Sequence, residues 1–120
     1  MIKLESLKKA SHFQIVLKNR VISNDLFVIY RKKNFLEKAK TSKKLYISFV
    51  MKKKIGNAVK RNRIKRKLKS VVQKLLGMNS LINLNYIYII LGKEKVYKEY
   101  HDSLVEKMKN SFKRMDSIKL

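Results

Sequence analysis

Apolar residues recur along the chain at two spacings, and these mark out six elements. Phe13, Val16 and Leu17 follow the helical period, and Ser11 with Gln14 three residues on reads as a capping box. A short amphipathic helix is therefore expected from Ser11 to about Lys18. Asn24 and Asp25 mark a turn, and Leu26–Arg31 is rich enough in β-branched and aromatic residues to read as a strand. A further short strand is open near Val21–Ser23. Lys32–Lys44 is polar and basic and reads as the loop of a hairpin leading to a second strand, Leu45–Met51. Alternation in that strand sets Leu45, Ile47, Phe49 and Met51 on one face and Tyr46, Ser48 and Val50 on the other.

Asn57 is then a natural N-cap for a long helix over Ala58–Leu76, with Ile64, Leu68, Val71, Val72 and Leu75 as its apolar stripe. Gly77 supplies a stop signal. Tyr86–Leu91 is almost continuously apolar, as an interior strand should be. Gly92–Lys95 reads as a turn. A closing helix is expected over Val96–Met115, with Tyr97, Tyr100, Leu104, Met108 and Phe112 along one face. The order α, β, β, α, β, α fits an α/β fold in which helices pack on a single sheet. With 120 residues, no repeat and no linker, the chain reads as one domain over residues 1–120.

Charge changes the picture. Lys and Arg number 31 against 8 Asp and Glu, a formal net charge of +23. The 45% hydrophobic content is ordinary for a globular domain, so a folded core must coexist with strong self-repulsion that a polyanion would relieve. No acid occurs between Glu37 and Glu94, and Lys52–Lys69 holds 10 basic residues in 18. Three of the six arginines, Arg61, Arg63 and Arg66, fall in this run. The planar guanidinium fork suits phosphate better than the point charge of Lys. On a helical wheel Asn62, Arg63, Arg66 and Lys69 face away from the stripe, and Lys65 and Lys67 flank it. Arg61 lies on the stripe's side but in the first turn, where its long side chain can leave past the end of a sheet. The N-terminus of this helix also offers free N–H groups to a phosphate, with Lys52–Lys54 beside it. A merely solvated face would normally carry Glu–Lys pairs, and none exist here. The pattern points to nucleic acid.

Other chemistries find little support. Without cysteine there is no disulfide, thiol nucleophile or Cys-ligated metal, which fits a reducing cytoplasm. No apolar run approaches a membrane span and the first ten residues do not resemble a secretory signal. His12 and His101 belong to no zinc spacing. Glu99, Asp102 and Glu106 share a face of the expected closing helix, but Lys95–Glu99 and Lys98–Asp102 pairs make that a solvated face. Phosphodiester hydrolysis would want carboxylate-held metals in the basic region, and residues 38–93 contain no carboxylate.

The run from Lys53 to Arg66, KKIGNAVKRNRIKR, resembles the signature of the bacterial ribonuclease P protein subunit, an Arg-Asn-Arg helix after a Lys-Lys-x-Gly-x-Ala-Val lead-in. Leu7-Lys8, Phe13-Gln14-x-Val16, the strand ending Phe27-Val28-Ile29-Tyr30 and the late apolar strand follow in the family's order. The resemblance spans about Leu7 to Phe112. It implies a small α/β sandwich, of the type shared with a domain of a small-subunit ribosomal protein, with a left-handed βαβ crossover. It implies an accessory subunit of an endoribonuclease whose catalyst is RNA, with no catalytic residue in the protein. The partners implied are the catalytic RNA subunit and the 5′ leader of precursor tRNA, with Mg2+ held mainly by the RNA, and neither a membrane nor a small-molecule substrate. By the same resemblance, Lys53, Lys54, Asn57, Lys60, Arg61, Asn62, Arg63, Lys65, Arg66 and Lys69 would meet the RNA subunit. Phe13, Leu17 and Tyr30 would line the leader cleft. The family often has an aromatic where this chain has Leu17, and a small hydroxyl residue where it has Lys52. The alternative is a ribosomal or other structural RNA-binding protein of similar fold.

Overall fold

The computed structural model describes residues 2–36, 44–78 and 81–117. Five strands, β1 (Lys3–Glu5), β2 (Arg20–Ser23), β3 (Phe27–Lys33), β4 (Lys44–Met51) and β5 (Tyr86–Gly92), form one sheet. The helices are α1 (Ala10–Leu17), α2 (Ala58–Leu76) and α3 (His101–Asp116). Short 3₁₀ turns at Lys53–Ile55 and Glu94–Lys98 precede α2 and α3. The strand order is β1-β4-β5-β3-β2. β4 runs parallel to β1 and β5, and β3 antiparallel to β5 and β2.

The apolar strand β5 takes the centre of the sheet, hydrogen-bonded on both sides. Tyr88 and Ile90 face one core and Ile87 and Ile89 the other, so with both faces covered its side chains need no polar alternation. Leu45 and Ile47 of β4, Tyr88 and Ile90 of β5 and Phe27 and Ile29 of β3 face α2 and α3 in the main core. All five stripe residues of α2 are fully buried there. Leu7, Val16, Ile87 and Ile89 form a smaller core beneath α1 on the opposite face. The result is two helices on one side of the sheet and one on the other.

Gly92, paired with Phe27 and Met51, lies directly beneath Ile64 and Leu68 of α2. A Cβ there would lie 2.8 Å from Leu68 Cδ1 and 3.0 Å from Ile64 Cγ2, so glycine lets the helix settle. Gly56 has φ +154° and ψ −162°, open to glycine but strained for other residues, and it turns the chain from the Lys53–Ile55 turn into α2.

Several expectations need correction. The expected hairpin does not form: β5 lies between β3 and β4, so the strands flanking the basic loop are not neighbours. Residues 37–43 of that loop lie outside the described residues. β1 was not anticipated, being only three residues long and held by parallel pairing to Lys44, Leu45 and Tyr46. The capping box at Ser11 is not made. The helix begins at Ala10 with Lys9 as N-cap, because burial of Leu7 and the 2.9 Å bond from its N–H to Ser48 Oγ set where the chain arrives. Gly77 does end α2, but at φ −78°, a conformation any residue adopts.

The closing helix begins at His101 rather than Val96. A helix running through this segment would bond the Tyr97 and Glu99 carbonyls to N–H groups four residues on. Instead Lys67 Nζ of α2 donates to both, at 3.1 and 2.6 Å. Glu99 is therefore outside α3 and does not share a helix face with Asp102 and Glu106. Lys95 pairs with Asp25 at 2.5 Å, not with Glu99. The radius of gyration is 13.8 Å, that of a compact chain of this length. Among the described residues no helix is long and apolar enough to cross a membrane.

Candidate nucleic-acid interface

The first turn of α2 is set locally. Asn57 Oδ1 accepts from the Lys60 N–H at 3.0 Å, and Asn57 O from the Arg61 N–H at 3.1 Å. From this start the stripe Ile64–Leu68–Val71–Val72–Leu75 locks the helix rotation against the sheet. Asn62, Arg63, Lys65, Arg66 and Lys69 are thereby left exposed, as are Lys53 and Lys54 of the preceding turn. Arg61 is half-buried at the stripe's margin, as its azimuth requires. Among the described residues, none of these cations is in an ion pair.

Two α2 lysines are engaged internally. Lys60 Nζ meets Glu94 Oε1 at 2.8 Å and lies 5.1 Å from the centre of the Tyr97 ring. The hydrogen bond from Lys60 holds the Glu94 carboxyl below its ordinary pKa. Lys67 is half-buried under the segment it clamps. Desolvation, then repulsion from Arg63, lowers its pKa, and Glu99 opposes that shift. Arg63 also lies over the same ring, its guanidinium carbon 5.3 Å from the centroid. Tyr97 thus ties the cationic helix to the approach to α3. Its apolar spacing was legible; its role between two cations was not.

On the opposite sheet face, Phe13 of α1 and Tyr30 of β3 both pack, half-buried, against the smaller core. Tyr46, Val50 and Leu36 join them there. Tyr46 and Val50 were absent from the expected cleft residues, although the alternation of β4 already set them on one face. Leu17 stands at the last turn of α1, 44% exposed. The structure brings Phe13 and Tyr30 into one cluster and leaves Leu17 outside it. Arg31 also escaped the sequence reading. It is buried on the α3 side, stacked 4.2 Å over the Tyr86 ring, and its Nη2 donates to the Met115 carbonyl at 3.0 Å.

A single sheet with one long helix holding outward a cationic face that has no ion-pair partner among the described residues, and a half-open aromatic cluster on the other side, defines a small α/β protein built to lie against a polyanion. Comparison with known proteins narrows the class. Residues 1–116 match the profile of the family described as Ribonuclease P. The ribonuclease P protein component of Macrococcus caseolyticus is 35% identical over 112 residues, covering 91% of each chain. That of Mesomycoplasma hyopneumoniae strain 7448 is 29% identical over 117 residues, covering 96% of each. The Staphylococcus aureus RNase P protein structure shares the fold at TM-score 0.70 and 22% identity, covering 91% of this chain and 93% of that one. The Thermotoga maritima protein does so at TM-score 0.70 and 22% identity, with 92% and 96% covered. The chain belongs to the ribonuclease P protein-component family, and so to the RNA-binding proteins of tRNA processing.

Proposed function

We propose that this protein is the accessory subunit of a ribonuclease P holoenzyme, binding the catalytic RNA through α2 and the 5′ leader of precursor tRNA through the face under α1. The observation that carries the reading is the cationic surface of α2 and the turn before it, where seven cations from Lys53 to Lys69 have no carboxylate partner among the described residues. Phosphates of a folded RNA are the natural counter-charge. Lys60 contributes less directly, since Glu94 already holds it. Asn57 acts by capping the helix that carries the cations.

On the other face, Phe13 and Tyr30 give a single-stranded leader apolar, aromatic surface without reading its sequence. Leu17 offers aliphatic contact at the position beyond them. The protein's share is positional and electrostatic: it lowers the repulsion between catalytic RNA and substrate and holds the leader in line. Mg2+ is assigned to the RNA. Residues 38–93 supply no carboxylate to hold it beside the cationic surface.

The test is cleavage of a precursor tRNA by the purified catalytic RNA at low Mg2+, with and without the protein. The expected result is a large gain that shrinks when the leader is cut to one or two nucleotides. A gain independent of leader length would remove Phe13 and Tyr30 from the mechanism. No gain, with RNA still bound, would favour a structural RNA-binding role instead.

A further inference from the structure

Among the described residues, the large apolar side chains left exposed fall into two groups. Ile15 and Leu17 belong to α1, and Phe35 packs edge-on against His12 of that helix at 5.4 Å. The other two, Val59 in the first turn of α2 and Tyr100 at the start of α3, are the most exposed of these at 77% and 82%. Val59 shares a flank of α2 with Arg63 and Arg66, at spacings of four and three residues. Arg63 on that flank stacks over Tyr97. The backbone leading to Tyr100 is clamped to α2 by Lys67, which takes the carbonyls of Tyr97 and Glu99. Tyr100 itself is the N-cap residue of α3, its carbonyl accepting from the Leu104 N–H at 3.0 Å. An exposed ring is therefore held on a fixed backbone at the margin of the cationic face.

We infer that Tyr100 is a stacking platform for an unpaired nucleobase of the RNA whose backbone lies along Arg63 and Arg66. The inference rests on the RNA-subunit reading of α2. The charges beside Tyr100 offset one another, Glu99 and Asp102 against Lys98 and the Lys67 ammonium, so the exposed ring offers a π-face for a neutral base rather than a net charge for a phosphate. Arg63 and Arg66, one helix flank away, take the phosphates. The interface would then distinguish RNA with an unpaired nucleotide at this point from a regular duplex of the same charge.

The chain contains no tryptophan, so Tyr100→Trp gives a protein with a single fluorescent indole at the site. Titration with the catalytic RNA subunit should quench its emission, and heparin, a polyanion without bases, should not. Tyr100→Ala should bind the RNA subunit about ten-fold more weakly, with an unchanged salt dependence because no phosphate contact is lost, and Tyr100→Phe should bind as wild type. Thermal unfolding followed by circular dichroism checks that each variant folds. Wild-type affinity in Tyr100→Ala, or equal quenching by heparin, would overturn the inference. If Arg63→Ala weakens binding and Tyr100→Ala does not, the stacking platform fails alone. If neither variant weakens it, the α2 interface fails with it.

Discussion

The α2 interface makes a quantitative statement about salt. Seven cations along Lys53–Lys69 have no ion-pair partner among the described residues, while Lys60 and Lys67 are held by Glu94 and by backbone carbonyls. If about six phosphates are neutralised, affinity for the RNA subunit falls with salt at a log–log slope of roughly −4 to −5. Raising salt from about 50 to about 200 mM then weakens binding roughly 250- to 1,000-fold. Removing one contacting charge lowers the slope's magnitude by about 0.7 to 0.9. Arg63→Ala and Arg66→Ala, both exposed and unpaired with acid, should each show that reduction in filter-binding titrations across a salt series. Lys60→Ala should show a smaller one, because its ammonium already faces Glu94 at 2.8 Å. Lys113→Ala, exposed on α3, should leave the slope unchanged. Equal reductions at Arg63, Arg66 and Lys113 would mean that charge acts diffusely, and would refute a specific site on α2.

Three further outcomes follow from other parts of the molecule. Gly92→Ala drives a Cβ to within 2.8 Å of Leu68 Cδ1, so urea denaturation should show a loss of about 1–3 kcal/mol, the usual penalty of overpacking. Burial pushes the Tyr88 hydroxyl up to about 12, opposed by the nearby Arg31, so absorbance at 295 nm should show a late-ionising tyrosine fraction. Tyr88→Phe should remove that late fraction. Because the folded value lies above the unfolded one, the Tyr88 contribution to stability is complete below about pH 10 and is lost as pH rises towards 12. Leu17→Phe, at the exposed end of α1, should tighten binding of leader-bearing precursor several-fold and leave binding of leaderless tRNA unchanged.

Much of the interface was legible because its signals are local. Asn57 as cap, the five-residue stripe and the cations opposite it lie within twenty residues, and helical periodicity alone relates them. The same holds for the two faces of β4 and for the central position of β5, whose unbroken apolar run suits a strand covered on both sides. The family signature from Lys53 to Arg66 lies in this same stretch.

What escaped depends on contacts between distant residues. Strand order is one case: nothing in Leu26–Arg31 or Leu45–Met51 says that β5 will come between them. The three residues of β1 carry no period long enough to read and exist by pairing with β4. The first turn expected for the closing helix was lost to a lysine some thirty positions earlier in the chain, because one half-buried lysine satisfied two carbonyls at once. That same contact set Tyr100 beside α2. Residue spacing along the chain decided which faces are apolar and which are cationic, since both follow from the geometry of a single helix or strand. Tertiary structure decided which faces meet and which cations stay free, since those depend on contacts between elements that local periodicity does not encode.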